Sequence, residues 1–432
     1  MQRFIIKGGS PLAGEIEING AKNAILPILA ACLLSDGECV LENVPLLEDV
    51  FVMCEILKYY GVNIVWLGNT LIINSQDIEN HSPPEDLMKK MRASNLILGP
   101  LISLFGEVCL PFPGGCAIGS RPMNYHLMAF SQMGVDIANV GPYIQATTGK
   151  LHGGKICLDF PSVGATENAI MAGVKAKGET IIYNAAKEPE IVDLANFLQK
   201  MGAKITGAGT DTIYIEGVEK LHGAEHRILD DRIEAGTMMI AAAISGGDIL
   251  LSNYKETHCE SVIAKLQECG VIINNDARGL RIKCCRRPKC ADIRTMPYPG
   301  FPTDMQAQYM ALMAISQGIS IVSENIFENR FRHADEMMRM GADIKVIGDS
   351  AVIKGKRRLN GAKVKATDLR AGAALVLLAL ASQGESIVEN VCYIDRGYQS
   401  LEKSLYSLGA DIKRQSVPLE EKALMQINVC PC

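Results

Sequence analysis

Met201-Gly202-Ala203-Lys204-Ile205 is one of six versions of a single phrase. The others are Tyr60-Gly61-Val62-Asn63-Ile64, Met133-Gly134-Val135-Asp136-Ile137, Cys269-Gly270-Val271-Ile272-Ile273, Met340-Gly341-Ala342-Asp343-Ile344 and Leu408-Gly409-Ala410-Asp411-Ile412. Each follows a helical stretch, and the glycines recur roughly every 70 residues, the signature of a repeated supersecondary unit. A second series is interleaved with the first: Gly37, Gly106, Gly178, Gly247, Gly318 and Gly384 each stand between an Ala/Leu/Met-rich stretch and a β-prone run such as Cys39-Val40-Leu41 or Ser386-Ile387-Val388. Glycine takes the left-handed conformation without a Cβ penalty, so this second series is expected to cap helices. Each unit then reads strand, helix A, strand, helix B and two strands, and the chain is six βαβαββ-type copies.

With 432 residues and 48% hydrophobic content the chain can bury large cores. Six units divide naturally into two halves of three, because one unit cannot cover its own apolar helix while three can share a core. The first twenty residues carry no apolar signal core, and the longest apolar run, Ala371 to Ala381, is too short to span a bilayer. A soluble cytoplasmic protein is the expectation. The fourteen cysteines, scattered through apolar segments, suit a reducing compartment. A net charge of −5 excludes the basic excess typical of nucleic-acid binders. Cys284-Cys285-Arg286-Arg287-Pro288-Lys289-Cys290 and Cys430-Pro431-Cys432 lack paired zinc spacing and histidines at ligand distance, so no metal is expected.

Superposing the units places the polar residues that are hardest to explain at two junctions. Before helix A stand Lys22 and Asn23, Arg92, Ser162 with Thr166 and Glu167, Asp231 with Arg232 and Glu234, Thr303 and Asp304, and Asp368 with Arg370. Before helix B stand Glu48, Cys116 with Arg121, Glu188 with Glu190, His258, Arg330 with Arg332, and Asp395 with Arg396. Equivalent junctions share one face of a repeat, so facing halves would gather these residues in a cleft. Helix capping is one reading of Ser162, Thr303, Thr367 and the aspartates, and it is the preferred one for Thr303 and Thr367. It does not account for Lys22, Arg92 or Arg370, since the dipole disfavours a cation at a helix N-terminus. An anion between them and the helix ends would resolve the conflict. No Walker-type loop or Gly-x-Gly-x-x-Gly is present to hold it. Cations on both faces of an empty cleft are also expected to repel one another and hold it open.

Pro111-Phe112-Pro113-Gly114-Gly115-Cys116-Ala117-Ile118-Gly119-Ser120-Arg121-Pro122 reads as an exposed, shaped loop. Its cysteine is bounded by small residues, and Arg121 would raise its thiolate fraction. This loop, Asn19-Gly20-Ala21-Lys22-Asn23-Ala24, Met91-Arg92-Ala93-Ser94, Pro161-Ser162-Val163-Gly164-Ala165-Thr166-Glu167-Asn168, Asp231-Arg232-Ile233-Glu234, Gly300-Phe301-Pro302-Thr303-Asp304-Met305-Gln306, Asp368-Leu369-Arg370 and Asp395-Arg396-Gly397-Tyr398 carry a resemblance over nearly the whole chain. The sequence resembles the UDP-N-acetylglucosamine 1-carboxyvinyltransferase family of enolpyruvyl transferases.

That resemblance implies a two-domain inside-out α/β barrel, three repeats per domain, with the active site in the interdomain cleft. One domain would be 22–229 and the other 1–21 plus 230–432. The implied reaction moves enolpyruvyl from phosphoenolpyruvate to the 3-hydroxyl of UDP-N-acetylglucosamine with loss of phosphate, the first committed step of peptidoglycan synthesis, and needs no cofactor. The family pattern places Lys22, Arg121 and Arg396 around the phosphate, with Arg92 and Arg370 completing the pocket. Asp304 would take the hydroxyl proton. Cys116 would protonate the methylene or carry a covalent adduct, both roles being open, and would be the thiol alkylated by fosfomycin. Asn23, Pro122, His126, Ser162, Val163, Gly164 and Ile326 would complete the substrate contacts. Asn124, where the pattern has an aspartate, and Phe160, where some members have a lysine, are departures on the nucleotide side. The sibling 5-enolpyruvylshikimate-3-phosphate synthase, a non-enzymatic repeat scaffold and a weakly active paralogue are the alternatives; phosphate release separates them.

Overall fold

The computed structural model describes residues 2–112 and 123–416. All six glycines of the opening pattern are left-handed, with φ between 83° (Gly134) and 104° (Gly202). Each stands one residue beyond a helix C-cap, and the caps Tyr60, Met133, Met201, Cys269, Met340 and Leu408 are all buried. Chain reversal and an apolar plug at each helix end thus come from the same dipeptide.

The second glycine series behaves differently from expectation. Only Gly106 is itself a left-handed cap; Gly246, not Gly247, closes the helix Arg232–Ser245. The helices Val163–Gly173, Gln306–Ile315 and Leu369–Ala381 end at Val174, Ser316 and Ser382, and Gly178, Gly318 and Gly384 serve the turn into the next strand. The helix Lys22–Ala31 runs on into a 3₁₀ turn, Cys32–Leu34, short of Gly37.

The described residues form five four-stranded sheets and one three-stranded sheet. In the third unit Lys155–Cys157 runs parallel to Glu179–Tyr183, which pairs antiparallel with Thr212–Glu216, itself paired with Lys204–Thr206. The second unit has three strands, Glu107–Pro111, Tyr143–Thr147 and Asp136–Val140. There Asn80 Nδ2 and Ser82 Oγ donate to the Glu107 and Cys109 carbonyls at 2.9 and 3.0 Å.

Strand partners do not follow chain order in units one, four and six. Ala13–Ile16, which precedes the first helix, pairs with Asp248–Leu251 of unit four, while Glu225–Arg227 pairs with Glu38–Glu42 of unit one. The strand Gln2–Lys7 lies between Glu385–Glu389 and Asp411–Ser416 and completes the sixth sheet. The linear order strand, helix, strand therefore survives, but two first strands are exchanged.

Hydrophobic burial separates into two clusters. One runs from Ala21 to Ile228; the other joins Phe4–Ile18 to Ile233–Ile412. In the second, the helices Arg232–Ser245, Gln306–Ile315 and Leu369–Ala381 pack on one another and are buried along nearly their whole lengths. A helix apolar all round belongs at a centre. Lys363–Lys365 buries one residue between two exposed ones, so its sheet covers the helix Leu369–Ala381 with one face and meets water with the other, and Lys204–Thr206 shows the same alternation in the first cluster. In the first cluster the 3₁₀ turn Arg92–Ile97 packs against the helices Lys22–Ala31, Leu98–Phe105 and Val163–Gly173.

The chain crosses between clusters twice, and the crossings bond to each other. Ala21 N donates to the Leu229 carbonyl and Asp231 N to the Asn19 carbonyl, both at 2.8 Å. A Cβ on Gly20 would lie 1.9 Å from the Asn43 carbonyl oxygen, so only glycine lets the backbones pass.

Candidate active site

Because the helix Lys22–Ala31 starts directly after the first crossing, Lys22 emerges at the seam. Its backbone N lies 3.3 Å from Asp231 Oδ2, and Asp231 caps the helix that follows the second crossing. The Lys22 ammonium is buried, 2.7 Å from Asp49 Oδ2. Asp49 lies in the first turn of the helix Glu48–Tyr59, and its other oxygen accepts from Arg396 Nε at 2.8 Å, with Arg396 Nη2 3.3 Å from Oδ2. One carboxylate thus joins a cation from each cluster. Burial pulls the Lys22 ammonium below the usual lysine range, Arg370 and Arg396 push the same way, and Asp49 opposes them. For Asp49, burial favours protonation, but Lys22 and Arg396 outweigh it and hold the carboxyl below its ordinary value. A carboxylate therefore bridges the cations and offsets part of the repulsion between them.

Asp304 is the second junction of charge. It sits in the 3₁₀ turn Thr303–Met305; Oδ1 accepts from Arg330 Nη2 at 3.0 Å, and Oδ2 from Arg370 Nη2 and Nε at 3.0 and 3.3 Å. Two guanidiniums orient both lone-pair faces of this carboxylate. Arg370 is the second residue of its helix, whose first turn is capped by Asp368 at 2.9 and 3.0 Å. Its guanidinium lies 5.3 Å from the Tyr398 ring centroid, and the Tyr398 hydroxyl meets Thr237 and Gln308 at 3.0 Å each. Burial works against the Arg370 charge, but Asp304, Tyr398 and Asp231 more than offset it. Arg370 Nη1 is buried without a hydrogen-bond partner among the described residues, an orphan donor beside Lys22.

Thr303 and Thr367 do not cap. Thr303 Oγ1 donates to Glu324 Oε2 at 2.9 Å, while Glu324 Oε1 accepts from the amides of Ile326 and Phe327 at 2.9 and 3.1 Å. Glu324 thereby ties the turn bearing Asp304 to the loop bearing Ile326. At Thr367 the cap is its neighbour Asp368. Ser162 does cap, accepting from Ala165 N at 3.5 Å.

A third group gathers in the first cluster. His126, in the helix Asn124–Gln132, is buried between Asn168 Nδ2 at 3.0 Å and Asn95 Nδ2 at 3.5 Å. Burial, reinforced by Arg92, pulls its pKa down to about 4, so the ring is neutral. A Cβ on Gly164 would stand 3.1 Å from His126 Cε1, which brings Ser162, Val163 and Gly164 against this helix. Asn23 is the second residue of its helix and is partly exposed. Cys116, Arg121 and Pro122 lie outside the described residues.

Sequence reasoning missed Asp49 and chose Glu48, which is exposed. The signal was there: Asp49 shares the buried face with Met53, Ile56 and Leu57, where a charge needs a partner. It also passed over the pairing of Arg232 with Glu190, at 2.9 and 3.3 Å and buried on both sides, which ties the clusters a second time.

The family described as EPSP synthase (3-phosphoshikimate 1-carboxyvinyltransferase) matches residues 6–405. UDP-N-acetylglucosamine 1-carboxyvinyltransferase 1 of Caldanaerobacter subterraneus subsp. tengcongensis is 54% identical over 413 residues, 96% of this chain and 99% of the relative. UDP-N-acetylglucosamine 1-carboxyvinyltransferase 2 of Clostridium tetani is 54% identical over 417 residues, 96% and 100% of the two chains. Among solved structures, the enolpyruvyl transferase NikO from Streptomyces tendae superposes with a TM-score of 0.86 at 25% identity, covering 96% of this chain and 99% of that one. An EPSP synthase from Acinetobacter baumannii, at 18% identity and a TM-score of 0.75 over 96% and 100% of the chains, shares the fold. With relatives this similar over almost their full length, and lysine, arginine and aspartate side chains from both clusters meeting at one seam, the chain belongs to the enolpyruvyl transferases and, among them, to the UDP-N-acetylglucosamine 1-carboxyvinyltransferases.

Proposed function

We propose that the chain transfers the enolpyruvyl group of phosphoenolpyruvate to the 3-hydroxyl of UDP-N-acetylglucosamine and releases phosphate, the first committed step of peptidoglycan synthesis. The observation that carries this reading is the meeting of Lys22 and Arg396 on Asp49 beside the Arg370–Asp304–Arg330 group. The sugar hydroxyl adds to C2 of the enol while a proton goes to the C3 methylene; loss of phosphate and of a C3 proton then restores the vinyl group. Asp304 receives the hydroxyl proton, and its two guanidinium partners fix its direction. Lys22, Arg121 and Arg396 take the phosphate, with Arg92 and Arg370 completing the cationic wall, a preorganised field that stabilises shifting charge. Cys116 supplies the methylene proton or holds an adduct, and is the thiol open to fosfomycin.

Asn23 and Ile326 belong to the acceptor side, and Pro122, His126, Ser162, Val163 and Gly164 to the uridine side. In this reading the two clusters are the cores of domains 22–229 and 1–21 plus 230–432, each an inside-out barrel of three repeats working in the cytoplasm without a cofactor. Among the described residues no helix is long and apolar enough to cross a membrane. The deciding experiment is phosphate release on mixing phosphoenolpyruvate with UDP-N-acetylglucosamine. Release that requires shikimate 3-phosphate instead, or none with either acceptor, overturns the reading.

A further inference from the structure

We propose that Asp49 is a positioning residue of the anion site: its single carboxylate holds the Lys22 ammonium of one cluster and the Arg396 guanidinium of the other in the arrangement an anionic substrate meets. The proposal rests on the enolpyruvyl-transfer reading for its substrate, and on geometry for everything else. Both Asp49 oxygens are engaged, one by Lys22 Nζ at 2.7 Å and the other by Arg396 Nε at 2.8 Å. The side chain of Asp49 is 5% exposed, that of Lys22 10% and that of Arg396 30%, so the guanidinium is the member of the trio that solvent, and an incoming anion, can reach.

An acid that merely complements a helix dipole stays on the surface, as the exposed Glu48 does one residue earlier. Burying the next acid costs desolvation, which is recovered only by well-placed cations. The groups around Lys22 show why those cations need the acid. Arg396 approaches from the turn after Val391–Ile394 and Arg370 from the first turn of Leu369–Ala381, both cationic, while Asp231 caps Arg232–Ser245 and accepts from the Lys22 amide rather than from its ammonium. Asp49, from the helix Glu48–Tyr59, is the carboxylate bound to that ammonium. It lets a lysine remain charged in a buried site shared with two guanidiniums, and it sets the distance between clusters at which both cations point to one place. Three further contacts hold Asp49 and Arg396 in register: Glu48 N to the Asp395 carbonyl at 3.4 Å, Leu46 N to Gln399 Oε1 at 2.8 Å, and Arg414 on Asp395 at 2.7 Å.

The test uses the full chain, with Asp49→Asn and Asp49→Glu. Initial rates of phosphate release, taken over roughly pH 6 to 10 so that the lysine limb is sampled, give kcat/KM for phosphoenolpyruvate. Calorimetric binding of inorganic phosphate over the same range supplies a readout that needs no turnover. In Asp49→Asn the alkaline fall of both quantities is expected to move down by about one pH unit or more, a tenfold loss on that limb, while KM for the uridine sugar stays put. Asp49→Glu keeps the limb but raises KM for phosphoenolpyruvate, because the longer arm cannot hold both cations at their present spacing. A merely structural residue would lower the thermal midpoint and leave the limb where it was; that result overturns the proposal. If Asp49→Asn does not fold, Asp49→Glu decides: an unchanged KM for phosphoenolpyruvate, or an unchanged phosphate affinity where turnover is lacking, overturns it. Wild-type protein that binds phosphate with the predicted limb yet turns nothing over would sink the transfer reading and leave Asp49 standing.

Discussion

Replacing Asp304 by asparagine keeps the shape of the side chain but changes what its two arginines see. The carboxylate accepts from Arg330 Nη2 at 3.0 Å and from Arg370 Nη2 and Nε at 3.0 and 3.3 Å, with the arginines 4% and 2% exposed and Asp304 27% exposed. An amide offers one acceptor oxygen and turns an N–H toward a guanidinium. Removing one partner of a buried pair costs about 3–5 kcal/mol, and the partial exposure of Asp304 argues for the low end, about 3 kcal/mol. For a domain of some 200 residues that is a fall of roughly 6–12 °C in thermal midpoint. Loss of a proton acceptor slows the chemical step by about 10²–10⁴-fold, or ~3–5 kcal/mol of barrier. The two effects separate when phosphate release is measured well below the lowered midpoint, with the uridine sugar titrated by calorimetry. Folded Asp304→Asn should bind the sugar within a few-fold of wild type and turn over about a thousandfold more slowly. Turnover within about tenfold of wild type in fully folded protein would remove Asp304 from the proton-accepting role. An unchanged midpoint would show that the arginines do not depend on it.

Burial, then Asp231, pushes Glu234 up to about 7 from 4.5, while the Asn19 amides bonded to it pull the other way. The folded chain therefore holds a proton that the unfolded chain loses, so this stabilisation is complete below pH 4.5 and disappears as pH rises through about 7. Calorimetric stability should fall by about 3 kcal/mol more across that window in wild type than in Glu234→Gln; parallel curves would refute the assignment. Brief exposure to fosfomycin should label Cys116 alone of the fourteen cysteines by mass spectrometry, and faster with the uridine sugar present. Cys39, its thiol lowered to about 6 chiefly by the Cys32 contact, should stay unlabelled because it is buried; a label there would show that reactivity follows thiolate fraction rather than access. Gly20→Ala, whose new Cβ falls 1.9 Å from the Asn43 carbonyl, should lower the thermal midpoint far more than Gly149→Ala, whose Cβ meets nothing within 4 Å; equal midpoints would mean the crossing can yield.

What could be read in advance depended on how local its cause was. Gly61 and its five counterparts were legible because a C′ glycine and a buried plug before it are settled within one helix turn. Gly247 was misassigned to a cap that Gly246 takes, since the sequence of a Gly-Gly pair does not say where the last helical bond falls. Thr367 lost its capping role to Asp368 for a similar reason: the cap belongs to whichever residue keeps an extended backbone, here Asp368 at φ −157° and ψ 179°. Lys22 and Arg370 stood out because a cation at a helix N-terminus demands an explanation, but that demand alone cannot distinguish a ligand from a protein carboxylate. The structure supplies Asp49 and Asp304. The exchanged strands Ala13–Ile16 and Glu225–Arg227 were out of reach, because each contact lies more than 180 residues away and the repeat makes either partner equally suitable.

The bridging carboxylate changes how anion binding at this seam has to be counted. Lys22 and Arg396 already share the one negative charge of Asp49, which leaves the trio a single net positive charge, so a phosphate would gain only the difference between its own contacts and the ones it disturbs. Taking both cations away would strand a buried Asp49, a cost of several kcal/mol. In the proposed reading a phosphate would have to share them, approaching from the side on which the Arg396 side chain is 30% exposed and using Arg370 Nη1 as a new donor. Sharing favours a ligand with its charge spread over several oxygens, because such a group can reach Arg396 and Arg370 together while Asp49 keeps Lys22. A compact monoanion can satisfy one cation only and would have to displace the carboxylate to reach a second. The buried Arg232–Glu190 pair ties the two clusters independently of Asp49, so a change of partners at Asp49 would leave that link in place.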